Sequence, residues 1–189
     1  MWAGFRHGAA SVALRVARYE TSGAPLVLRR CVVVAAPHTS HWDFALMLSF
    51  AWRHDIPVKW MGKREMFGWP MRRILIRVGG IPVDRSNPAG LASEIASGLD
   101  DVALVIPVEG TTLKRQHWKS GFRRIAMSAD VPVVLAFVDR PTRTVGIGPT
   151  LMMTDDVGRD MDQIRHFYAT ICGIHPEKAT LPRLRSEDS

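Results

Sequence analysis

Short runs rich in valine and isoleucine alternate along this chain with longer segments of helical period, and that alternation leaves few folds open. The runs fall at 32–36, 58–61, 81–84, 102–107, 131–138 and 144–147, and several have no polar residue at alternate positions. A strand that is apolar on both faces needs cover on both, the condition of a parallel sheet with helices above and below. The pattern therefore predicts an α/β fold with a largely parallel central sheet flanked by helices. Helices are expected over 42–53, 65–78, 88–99, 121–129 and 156–172. The best terminal signal is Ser86-Asn87-Pro88, where capping side chains precede a proline at the first helical position. Pro70 should kink the second helix or split it in two.

No repeat, low-complexity stretch or linker divides the 189 residues, so 1–189 is expected to form one domain. Within it, 1–24 reads as an amphipathic helix and linker, and 175–189, with Pro176 and Pro182, as a loose tail. A chain with 47% hydrophobic residues can hold a core without staples, and two cysteines, Cys31 and Cys172, cannot build a disulfide framework. Residues 1–19 contain Arg6, Arg15 and Arg18 and no acid, while Trp2, Phe5, Ala9, Val12 and Val16 recur at helical spacing. Such a helix either docks on the core or also lies on a bilayer surface. No run reaches the roughly 18 apolar residues that a membrane span needs.

Charge narrows the partners. Lys+Arg at 25 against Asp+Glu at 18 leaves +7, which favours anionic ligands, lipid headgroups or nucleic acid. The excess gathers at Lys63, Arg64, Arg72, Arg73 and Arg77, and again at Lys114, Arg115, Lys119, Arg123 and Arg124. A solvated basic face is the plain alternative. A nucleic-acid reader would interleave aromatics or carry a reading motif, and neither is visible.

In a parallel sheet, ligands bind beyond the carboxyl ends of the strands. Those positions hold Pro37-His38-Thr39-Ser40-His41-Trp42-Asp43, then Asp84-Arg85, then Glu109-Gly110-Thr111-Thr112. If Ser40 caps the helix that follows, Asp43 falls at its third position, where a carboxylate reaches back over the N-terminus. His38 lies just outside that end. A carboxylate there would fix the tautomer of the ring and stabilise its protonated form, as a general base acting on a hydroxyl requires. Asp43 as a simple dipole-complementing cap is the alternative. His38, His41 and Asp43 could also be imagined as a metal set, but the two histidines straddle a turn instead of sharing a helix face.

These residues carry a resemblance. His38-x4-Asp43, then Gly79-Gly80-Ile81-Pro82-Val83-Asp84-Arg85, then Pro107-Val108-Glu109-Gly110-Thr111, then Val131-Pro132-Val133-Val134 resemble, in order and spacing, the four blocks of glycerolipid acyltransferases. The match runs from about residue 30 to about residue 150 and is most similar to the 1-acylglycerol-3-phosphate O-acyltransferase-like group. It implies transfer of a fatty acyl group from a thioester of coenzyme A or acyl carrier protein to a hydroxyl of a lysophospholipid or related lipid. The resemblance makes His38 the general base and Asp43 its partner, gives substrate binding to Arg85, Glu109, Gly110 and Thr111, and places Pro132 near the acyl site. It implies no metal and no cofactor beyond the acyl thioester. The partners it implies are acyl-CoA or acyl carrier protein, a lipid acceptor and an anionic membrane surface, with no nucleic acid, for a cytoplasmic protein peripheral on the membrane.

The third block departs from the family pattern, because Thr112 stands where an arginine is usual. A threonine cannot give a phosphate the forked, charged contact of arginine; Lys114 or Arg115 could take that part, or the acceptor is another lipid or alcohol. The acyl chain is expected in an apolar channel lined by the 42–53 helix and by Trp60, Met61, Met66, Phe67 and Trp69. The readings that compete are a hydrolase using the same His38 and Asp43, and a basic membrane- or nucleic-acid-binding module without catalysis.

Overall fold

The computed structural model describes residues 2–23, 30–83 and 102–188, with the side chains of Trp2, Ala3 and Phe5 left aside. The expected helix over 88–99 lies outside the described residues, as do Asp84 and Arg85. Among the described residues seven strands form one sheet: β1 (Glu20–Ser22), β2 (Cys31–Ala35), β3 (Val58–Lys63), β4 (Gly80–Val83), β5 (Ala103–Pro107), β6 (Val133–Asp139) and β7 (Thr144–Leu151). Their order is β1-β7-β6-β2-β5-β3-β4. The strands β6, β2, β5, β3 and β4 are mutually parallel, so their carboxyl ends share one edge; β7 runs antiparallel to β6, and β1 pairs parallel with β7.

The described helices are α1 (Trp2–Ala17), α2 (His41–Arg53), α3 (Arg72–Arg77), α4 (Gly121–Ala129) and α5 (Val157–Tyr168). The unbroken apolar run of β2 now has its reason. Val32 and Val34 join a core with Phe122 and Ile125 of α4 and Met161 and Ile164 of α5, while Cys31 and Val33 join one with Leu14 of α1 and Leu46 and Phe50 of α2. Helices therefore cover both faces, and each buried valine contributes about 1.5–3 kcal/mol. Tyr168 at the end of α5 ties two strands together, donating from its hydroxyl toward the carbonyls of Val34 and Ala136.

Pro70 splits the helix over 65–78, as expected, into a 3-10 turn, Arg64–Phe67, and α3. Three other sequence expectations change. Strand β1 gave no signal because it is a three-residue edge strand with no buried residue. Gly146 admits it, since a Cβ there would collide with the Ser22 carbonyl. Among the described side chains of α1 the buried ones are Ala10 and Leu14, whereas Val12 and Val16 are 62% and 79% exposed, because α2 covers the Leu14 side. The tail is packed, not loose. Leu184 and Thr180 are buried, Trp118 donates its backbone N–H to the Arg183 carbonyl (2.8 Å), and Arg165 pairs with Glu187 (2.7 Å). Burial of Leu184 beside Trp118 holds a segment whose prolines read as a frayed end.

Candidate active site

The site begins where β2 turns into α2. Ser40 has extended backbone angles (φ −149°, ψ 153°), and its hydroxyl accepts from the Trp42 N–H at 3.2 Å, a cap that starts the helix. Asp43, the third helical residue, closes a capping box: its Oδ2 accepts from the backbone N–H groups of Ser40 (2.7 Å) and Thr39 (2.6 Å). Its Oδ1 is buried without a partner. Burial pushes the carboxyl up to about 6, against the pull of the Ser40 and Thr39 donors.

His38 stands just before that cap, its side chain 19% exposed, with Nδ1 3.8 Å from Asp43 Oδ2. That gap is too long for a hydrogen bond. Burial pushes the imidazole down to about 4, and neighbouring His41 pushes the same way. The shift runs opposite to the expectation of a stabilised imidazolium, because desolvation favours the neutral ring. A neutral imidazole is the form that can accept a proton.

Glu109 comes from the end of β5, the neighbour of β2 in the sheet. The His38 backbone N–H donates to its Oε2 at 3.2 Å, while Oε1 is buried and unpartnered. Burial raises this carboxyl to about 7, backbone N–H groups of His38 and Thr180 oppose the rise, and the charge of Asp43 adds to it. Two buried carboxyls, each with one oxygen unpartnered, thus approach His38, Asp43 on the side of its ring and Glu109 at its backbone N–H. Gly110 turns the chain after Glu109 at φ +68°, its N–H bonded to the Pro107 carbonyl. Thr111 spends its hydroxyl accepting from the Leu113 N–H (3.3 Å), and Lys114 and Arg115 are exposed beyond it.

Of the six residues singled out from sequence, the fold brings together His38, Asp43 and Glu109. Gly110 and Thr111 shape the adjoining turn, and Arg85 lies outside the described residues. His41 is exposed at the start of α2, and among the described residues no group of three His, Cys, Asp or Glu is placed to hold a metal. Of the expected acyl channel, Trp60 and Phe67 are buried and stacked at 5.7 Å, whereas Met66 and Trp69 are 48% and 95% exposed and line no interior.

Three further residues join the site, and two of them, His175 and Thr180, give no local signal in the sequence. Thr39, 1% exposed, donates to Asp43 and accepts the His175 N–H on its hydroxyl (3.0 Å). His175 in turn lies close enough for its charge to favour ionised Asp43. Thr180 serves Glu109, accepts from the Arg115 N–H at 2.9 Å, and takes the Trp118 indole N–H on its carbonyl at 3.1 Å.

One histidine and two buried carboxyls thus meet at the carboxyl edge of the parallel sheet of an α/β protein. The chain belongs to the acyltransferase family, whose model matches residues 18–137 and so spans His38, Asp43 and Glu109. Its fold is similar to that of the 1-acyl-sn-glycerophosphate acyltransferase PlsC from Thermotoga maritima, with a TM-score of 0.60 over 86% of this chain and 74% of that one at 14% identity. Among curated proteins, no sequence matches. No helix among the described residues is long and apolar enough to cross a membrane.

Proposed function

We propose that this acyltransferase moves a fatty acyl group from a thioester of coenzyme A or acyl carrier protein to a hydroxyl of a lysophospholipid or related lipid. The observation that carries the reading is the buried His38–Asp43 pair inside the family-matched stretch. His38 turns Nδ1 toward Asp43, which leaves Nε2 for the acceptor. Nε2 takes the hydroxyl proton as the oxygen attacks the thioester carbonyl carbon, and the imidazolium so formed is stabilised by Asp43. Collapse of the tetrahedral intermediate breaks the C–S bond, and the departing thiolate takes the proton back. Such a base contributes about 10²- to 10⁴-fold.

The acceptor head would be bound by Arg85 and by the Glu109-Gly110-Thr111 turn. The acceptor of PlsC, by its name, is a 1-acyl-sn-glycerophosphate, and an acceptor of that class is the reading here. With Thr112 at the usual arginine position, the phosphate would depend on Arg85 and on Lys114 or Arg115. The acyl thioester is a co-substrate, no other cofactor is proposed, and the protein would work at a membrane surface from the cytoplasmic side, as a single domain over 1–189.

The test is to incubate the protein with several acyl thioesters and a lipid extract and to identify the acylated product by mass spectrometry. The expected result is an acylated lipid that His38→Ala does not make. Release of free fatty acid at the same rate with and without acceptor would make the protein a hydrolase instead.

A further inference from the structure

Between 63 and 77 the chain buries Phe67 but leaves most of its other apolar side chains in solvent. Met66, Trp69, Met71, Ile74 and Ile76 are 48%, 95%, 47%, 55% and 46% exposed, and α3 has no buried residue at all. The same fifteen residues carry Lys63, Arg64, Arg72, Arg73 and Arg77 against one acid, Glu65. Water does not favour such a patch, and a contiguous exposed apolar surface with basic residues interleaved marks a binding face.

The fold also says where this face begins. β3 is parallel to β5 and β5 to β2, so the turn that leaves β3 emerges on the same edge of the sheet as His38 and Glu109. Trp42, at the start of α2 on that edge, is 70% exposed as well. An indole at the boundary between apolar and aqueous phases, with cations able to reach anionic headgroups, is the chemistry of a bilayer interface.

We propose that residues 63–77 dock this protein on an anionic bilayer, with Trp69 as the inserted anchor, and so turn the carboxyl edge of the sheet toward the membrane. The proposal rests on the reading of a lipid acceptor, and it names the element that delivers the site to that acceptor. The first helix, which the sequence offered for this task beside the basic cluster at 63–77, is secondary, since its Leu14 side is spent on the core.

Co-sedimentation with phosphatidylcholine vesicles, with and without phosphatidylglycerol, tests it without turnover. Trp69→Ala should lower vesicle partition about tenfold at every salt concentration, because the lost contact is apolar. The double variant Arg72→Glu/Arg73→Glu should lower it at least about tenfold at low salt and much less at high salt. Val12→Ser/Val16→Ser should change it by less than about twofold, in line with a helix whose inner side is already spent. Neither Trp69 nor Arg72 supports the core, and circular dichroism with thermal melts confirms that the variants are folded. Wild-type partition of Trp69→Ala, loss only in the α1 variant, or binding of acyl carrier protein but not of vesicles would each overturn the proposal. Vesicle binding without any acyl transfer would instead sink the enzymatic reading, and transfer to a detergent-dispersed acceptor without vesicle binding would sink this one.

Discussion

Helices α2 and α3 both follow a strand out of the carboxyl edge of the sheet, yet α2 buries Asp43, Leu46, Ser49, Phe50 and Ala51 while α3 buries nothing. Their parent strands differ in place. β2 lies between β6 and β5 in the middle of the sheet, so a helix laid across it finds apolar surface on either side, whereas β3 and β4 form the margin. The helices differ in themselves too. α2 has thirteen residues and a capping box; α3 has six, with no side-chain bond at its N-terminus, and too few turns to be stable by itself. The lesson is that apolar residues report burial only where the strand order supplies a surface to cover them.

The largest expected effect is on rate. His38→Ala should lower acyl transfer about 10²- to 10⁴-fold with little change in melting temperature, since the side chain makes no hydrogen bond that the fold uses. A folded variant with wild-type turnover would remove the base from α2 and leave its start a plain helix cap.

Packing separates the two helices next. Phe50→Ala should destabilise by about 3–5 kcal/mol, and Ile74→Ala by no more than about 0.5 kcal/mol, as read from denaturant melts. Equal losses would mean that α3 is covered in solution and would erase the contrast.

Burial of Asp43 gives a contrast that only pH reveals. Its carboxyl is raised to about 6 from an ordinary value near 3.8, so the folded protein holds that proton more tightly than the unfolded chain. Stability from this group is present below pH 4, falls as pH climbs to about 6, and stays lost above it. Asp43→Asn removes the titration. The difference in unfolding free energy, variant minus wild type, should therefore rise by on the order of 2–3 kcal/mol between pH 4 and 7, while turnover falls. Glu109→Gln should do the same in a window reaching about one pH unit higher, in keeping with its carboxyl near 7. A flat difference would mean that Asp43 ionises freely in the fold.

The smallest effect concerns the helix starts. Ser40→Ala should cost about 1 kcal/mol through the lost cap, while Met71→Ala at the start of α3 should cost almost nothing. Thermal melts of the pair measure whether capping or sheet position holds α2 in place.

Much of this could be read from the chain alone. The valine runs located β2, β5 and β6 to within one or two residues, the Ser40 and Asp43 spacing placed the start of α2, and Pro70 marked the break before α3, because each signal is local and acts over one or two turns of backbone. The strand-end rule then found His38, Asp43 and Glu109 without their contacts. Those contacts belong to the tertiary structure. Glu109 accepts from a residue 71 positions away because β2 and β5 are neighbours, and His175 bonds to Thr39 across 136 positions because the chain after α5 returns to the β2 edge. Strand order likewise left Trp69 and Ile74 in solvent and packed Leu184 in the core, outcomes that a side chain's own hydrophobicity cannot decide, because burial depends on which surface the rest of the chain brings to it.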